Sequence, residues 1–109
     1  MATDQNLTQK RRLELHAILT DILGSDNCYF QPPKSVKLSY PCIVYHRNNG
    51  RTDYANNNPY RFRYSYTVTA ITKDPDSDLP RKLAALPLCS YDRHFTADNL
   101  NHDVFFLYY

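Results

Sequence analysis

Apolar and polar residues alternate without a break from Tyr60 to Ala70 within residues 60–72, YRFRYSYTVTAIT. Tyr60, Phe62, Tyr64, Tyr66, Val68 and Ala70 share one side of the pattern, and Arg61, Arg63, Ser65, Thr67 and Thr69 share the other. A period of two is the mark of a strand with one face buried. At about 3.3 Å per residue this stretch makes a ribbon of about 43 Å. A compact domain of similar length has a radius of gyration of about 13 Å, hence a diameter of about 34 Å. Such a strand either bends at a bulge or sends one end beyond its own body, where another subunit covers it.

The remaining elements follow from the same kind of reading. Residues 1–7 are polar and read as a loose, flexible tail of a single domain spanning 1–109. Over 8–23, Leu15, Ile18, Leu19 and Ile22 fall at i, i+3, i+4 and i+7, one face of a helix that Thr8 can cap and Gly24 can end. Residues 26–30 can hold a short strand closed by Pro32 and Pro33. Residues 36–46 alternate irregularly, and Pro41 removes a ladder donor, so this strand either lies at an edge or starts after the proline. The stretch RNNGRTDYANNNP, 47–59, reads as a long polar loop leading into an extended hairpin whose tip protrudes. Asp76, Ser77 or Asp78 can cap a second helix with Leu79, Leu83 and Leu86 on its buried stripe and Pro87 at its stop. Residues 89–95 and 104–109 read as two strands joined by the turn-forming TADNLNH. Strands in runs with segregated helices predict an α+β fold. We therefore expect a mostly antiparallel sheet of four to five strands, two helices on one face, and one long protruding β-hairpin.

Composition changes this picture little. With 42% hydrophobic residues in 109 the chain can form a real but thin core. Thirteen basic against 11 acidic residues give a net charge of +2, too balanced to imply nucleic acid or membrane as a partner. No apolar run reaches the ~20 residues of a membrane span, and MATDQNLTQKRR has no signal-peptide core, so a soluble chain made in the cytoplasm is expected. Tyrosine is the outlier, with ten Tyr and no Trp, and its amphipathic ring suits subunit contacts as well as sheet edges. Cys28, Cys42 and Cys89 show no CxxC spacing and read as free buried thiols.

Candidate chemistry is sparse, and no cofactor is implied. Two glycines exclude a phosphate-cradling loop. Asp92, His94 and His102 could converge across a hairpin as metal ligands, and Cys89 could pair with either His94 or His102, but these residue types serve equally as sheet and turn hydrogen-bonders or packed core. Arg61 and Arg63 among Tyr60, Phe62, Tyr64 and Tyr66 suggest a platform for single-stranded nucleic acid. Alternation puts rings and arginines on opposite faces, which argues against that use. Lys10, Arg11 and Arg12 sit in a first helical turn, where the dipole disfavours cations; they read as a solvated face or as a surface for an acidic neighbour.

The stretch DPDSDLPRKLAALPLCSYDRHFTADNLNHDVFFLYY, 74–109, resembles the carboxy-terminal half of small proteins from the head–tail connector gene blocks of long-tailed bacteriophages. Its Asp-Pro-Asp-Ser cap, the Cys-Ser-Tyr-Asp-Arg-His-Phe strand and Asp-Asn-Leu-Asn-His carry the likeness, and YFQPP (29–33) and YPCIVYH (40–46) are similar too. The resemblance is to tail-completion or tail-terminator proteins. It implies a virion protein of the tail or neck without catalysis, assembled in the host cytoplasm as a homo-oligomer. That oligomer is usually a hexameric ring capping the tail tube protein and meeting a head-side connector or stopper; a passing contact with DNA in the lumen stays open. The chain is shorter than many tail terminators, which keeps a head-closure or neck adaptor open. On this reading the contacts fall on the long strand, the 47–59 loop and the last strand, at Arg51, Tyr54, Tyr60, Arg61, Phe62, Arg63, Tyr64, Tyr108 and Tyr109.

Overall fold

The computed structural model describes residues 6–55 and 58–109; the side chains of Arg51 and of residues 53–61 lie outside what it describes. Helix α1, Leu7–Leu23, ends at Gly24, whose φ of 81° and N–H bond to the Thr20 carbonyl oxygen (2.8 Å) make the expected left-handed stop. Its cap is Asn6 rather than Thr8, with the Asn6 side chain accepting from the Gln9 N–H at 2.8 Å. Asn6 is extended and its short amide reaches the third helical residue, so the helix starts earlier than the apolar spacing marks. Asn6 and Leu7 therefore belong to the cap and helix instead of a loose tail, while residues 1–5 lie outside the described residues.

Strands β1 (Cys28–Phe30), β2 (Cys42–Ala55), β3 (Asn58–Thr72), β4 (Cys89–Ala97) and β5 (Leu100–Tyr108) form one sheet in the order β1-β2-β3-β5-β4. Only β1 and β2 run parallel. Helix α2, Leu79–Ala84, follows β3; Asp78 is its cap residue, and the side-chain bond at this end is made by Ser77, whose hydroxyl oxygen accepts from the Leu79 N–H. The fold is α+β, as the element order predicts. β2 begins directly after Pro41, and it lies inside the sheet between β1 and β3.

The helices share one face of the sheet. Leu15 and Leu19 of α1 and Leu79 and Leu83 of α2 pack on Ile43, Tyr45, Tyr66, Val68, Ala70, Phe105 and Leu107. Burial of this cluster is the main favourable term in folding, each large side chain contributing about 1.5–3 kcal/mol. Tyr45 and Tyr66 are two of the largest fully covered side chains, so part of the tyrosine surplus fills the core.

Two expected loops are mostly strand. Residues 47–55 continue β2 and pair with β3 as far as Ala55↔Asn58, through register shifts between Arg47 and Gly50 and between Asp53 and Tyr54. A two-stranded ladder satisfies the backbone without apolar side chains, so Asn, Asp and Thr can continue a strand whose flanks face water. The second correction concerns 96–102. The turn contracts to Asp98 and Asn99, with φ of 54° and 62°, the left-handed pair of a two-residue hairpin, and strand pairing runs on to Ala97↔Leu100.

β3 outruns β5. It pairs with β5 only from Ser65 to Thr72, while its pairing with β2 continues outward from Gly50↔Tyr64. Beyond that point β2 and β3 form a two-stranded arm without a third strand among the described residues. The radius of gyration is 15.4 Å and the extents are 49 × 36 × 23 Å, against about 13 Å for a compact domain of this size.

Candidate functional site

The arm joins the body through a row of aromatic rings and cations. Phe62 is 53% exposed and meets Tyr64 edge-on, with centroids 4.9 Å apart at 81°. The Phe62 ring lies against Gly50, at a point where any Cβ would collide with it. This close approach explains the glycine: the ring covers a strand position that has no side chain of its own. Inward, the Arg47 guanidinium sits 4.3 Å from the Tyr64 centroid and 5.7 Å from that of Phe30, and it donates to the Tyr66 hydroxyl at 3.1 Å. Its Nε is buried and has no hydrogen-bond partner among the described residues.

Helix α1 adds two more cations to this end. Arg12 lies 4.5 Å from the Phe30 centroid. Arg11 lies 4.4 Å from the Tyr109 centroid and donates from Nε and Nη2 to the main-chain oxygen of Tyr109 at 3.1 and 2.9 Å. These partners offset the unfavourable dipole at the start of the helix, so Arg11 and Arg12 hold the chain together in addition to charging its surface. Tyr109 in turn donates its hydroxyl to Glu14 at 3.1 Å, and burial together with that carboxylate raises its pKa.

Beneath this end lies a cavity of about 230 Å³. Leu15, Ile18, Leu86 and Leu88 supply apolar wall, and Arg11, Arg63, Tyr108 and Tyr109 also line it. Leu88 is 54% exposed and holds a φ of 58°, a conformation that a bulky side chain adopts only under constraint. Its carbonyl oxygen accepts from the Tyr108 N–H at 3.1 Å, which ties the α2–β4 connection to the end of β5.

The residues anticipated as contacts divide accordingly. Phe62 and Tyr64 meet in the ring row, and Arg63, Tyr108 and Tyr109 gather at the cavity. Arg51, Tyr54, Tyr60 and Arg61 fall on the arm strands, their side chains outside the described residues. Arg47 and Leu88 were not anticipated, and Arg12 was singled out only as part of the basic first turn of α1. The cations in the first turn of α1 are the one signal that pointed toward this end.

The alternative chemistries are placed as well. His94 and His102 stand opposite Asp103 and Phe95, neighbouring register positions whose side chains leave opposite faces of the sheet. His94 Nδ1 lies 2.9 Å from Asp103 Oδ1, which also accepts from the Tyr91 hydroxyl at 3.0 Å, while His102 stacks on Phe95 at 4.6 Å. Among the described residues no group of three His, Cys, Asp or Glu is placed to hold a metal. Cys89 stands opposite Leu107, and burial raises its pKa. The thiol nearest an imidazole is Cys28, whose Sγ is 3.9 Å from His16 Nδ1. Burial, with Cys42 adding to it, pushes Cys28 up to about 12, and burial pushes Cys42 up to about 11, so neither is a thiolate nucleophile at neutral pH. Tyr45, pushed up to about 12 chiefly by burial, keeps its proton, and its hydroxyl lies in hydrogen-bond contact with His16 Nδ1 at 2.7 Å.

For nucleic acid, two of the four rings are engaged: Tyr66 is buried and Arg47 occupies a face of Tyr64, while Phe62 stays exposed and the Tyr60 ring lies outside the described residues. Arg47 also shows that an arginine from the adjacent strand can reach the rings, which alternation along β3 alone does not reveal. Among the described residues no helix is long and apolar enough to cross a membrane. No family model, curated protein or solved structure matches this chain.

Proposed function

We propose that this protein is a structural virion component, a tail terminator that caps the tail tube as a ring and joins the tail to the head connector. The observation that carries the reading is the two-stranded arm, which leaves the five-stranded sheet with an exposed Phe62 and with outer edges that, beyond Tyr64, meet no further strand among the described residues. Lone ribbons are marginal in water, and open edges invite pairing, so a neighbouring subunit is the natural cover. The resemblance of residues 74–109 to head–tail connector proteins supplies the context, and a homo-oligomeric ring, a tube protein and a head-side stopper are its partners. A head-closure or neck adaptor would use the same arm, and binding to tube protein separates the two readings.

The test is mass measurement and negative-stain imaging of the purified protein, alone and with tail-tube protein. Rings, or tube ends bearing a cap and no longer growing, are expected. A monomer that leaves tube growth unchanged would overturn the reading.

A further inference from the structure

Charge is divided along the molecule. At the arm end stand Lys10, Arg11, Arg12, Arg47 and Arg63, with Glu14 beside Arg11 and Asp53 farther out on β2. The opposite end is where β3 stops, next to the Cys42↔Ile71 pair. There α1 ends beside Ser77 and Asp78 across a small cleft. Exposed Asp21, Asp26, Asp74, Asp76 and Asp78 stand at this end, beside Lys73, Arg81 and Lys82.

Each end carries a shaped feature. The arm-end cavity, at about 230 Å³, falls below the roughly 300 Å³ at which sites for drug-sized ligands begin. It suits one apolar side chain held between anions. The other end presents such a group. Pro75 stands between Asp74 and Asp76, all three exposed, in a turn that is held from within. Asp74 Oδ1 accepts from the Asp76 N–H at 2.9 Å, and the Asp74 carbonyl oxygen accepts from the Ser77 N–H at 3.2 Å and the Thr72 hydroxyl at 3.1 Å. A pre-ordered turn loses little entropy on docking.

We propose that the cavity lined by Arg11, Arg63 and Leu88 receives the 74–76 turn of a second copy of this chain, head to tail. Pro75 fills the apolar wall, and the carboxylates of Asp74 and Asp76 face the arginines. Two different patches meet, so the contact is heterologous and repeats from copy to copy. It rests on the ring reading above only for the closure of that series.

Charge reversal tests this directly, with association followed by sedimentation at low and high salt. The native chain associates at low salt and loses mass as salt screens the contact. Asp76→Lys, on an exposed turn, and Arg63→Glu each weaken association about tenfold. Mixing the two variants restores it, because every contact between unlike copies is again complementary. Leu88→Asp, at an exposed wall position, weakens association without lowering the melting temperature, which keeps the cavity testable if Arg63→Glu unfolds. A native chain that stays monomeric at both salts, variants that associate like the native chain, or a mixture that recovers nothing would each overturn the proposal. Rings indifferent to these charges would remove this contact and leave the tail reading. Charge-dependent association that never caps tubes would do the reverse.

Discussion

β2 and β3 run through two environments, and the same alternation has opposite consequences in them. In the body, from Cys42↔Ile71 to Arg47↔Tyr66, the pair is flanked by β1 and β5 and roofed by α1. Tyr66, Val68 and Ala70 are buried there. In the arm, Phe62 occupies the same phase of the pattern and is mostly exposed. Alternation states which side chains share a face. Whether that face is dry depends on what lies over it: the leucines of α1 pack against Tyr66 and Val68, while Phe62 is left mostly exposed.

Truncation should separate the two regions most sharply. Phe105→Ala in the body should cost about 3–5 kcal/mol, whereas Phe62→Ala on the arm should cost less than about 1 kcal/mol, read as shifts in the urea midpoint. Equal costs would mean that the arm packs as tightly as the body. Next comes the junction: Arg47→Ala removes the stem and cation over Tyr64 and the donor to Tyr66, and should cost about 1–2 kcal/mol. A neutral result would show that the ring row holds without its cation.

A smaller effect tests the roof of the body through pH. Burial, with Arg12 beside it, lowers the pKa of His16 below 6.5. The unfolded chain then binds a proton that the folded chain resists, so stability is full above pH 6.5 and falls as pH drops from there toward the lowered value. The groups facing His16 are Arg12 on its own helix, Tyr45 on β2 and Cys28 on β1. His16→Gln should flatten the dependence of the urea midpoint between about pH 7 and about pH 5.5. An unchanged slope would place that loss on other groups. The smallest effect belongs to Gly50→Ala, whose Cβ displaces the ring end of Phe62 rather than backbone. Stability should change by less than about 0.5 kcal/mol, since the lost covering is offset by the lower chain entropy of alanine. Arm resonances in an NMR spectrum should move while those of Val68 and Phe105 stay.

Much of the body was legible because its signals are local. The spacing of Leu15 and Leu19, the left-handed Gly24, Pro41 ahead of β2 and the leucines of α2 each act within a few residues of themselves. The arm was only half legible. The length of β3 marked an overshoot, but 47–55 looked like a loop because nothing in its side chains requires a strand. Pairing with β3 does, and that is a contact between segments. The Asp98–Asn99 hairpin was blurred in the same way, since several turn formers competed and only the register against β4 chose among them.

The candidate site was the least visible part. Tyr108, Tyr109 and Arg63 could be named from their strands, but the cavity they share with Arg11 and Leu88 is assembled from α1, β3, β5 and the α2–β4 connection. By itself the sequence determined the faces, stops and turns, because those follow from side-chain period and backbone preference. Only the tertiary structure decided which stretch of the alternating strand lies under a helix, where Arg12 and Arg47 meet the rings, and that five exposed aspartates stand at the end opposite those arginines. Burial and cation–ring contact are properties of neighbours in space, and those neighbours are far apart along the chain.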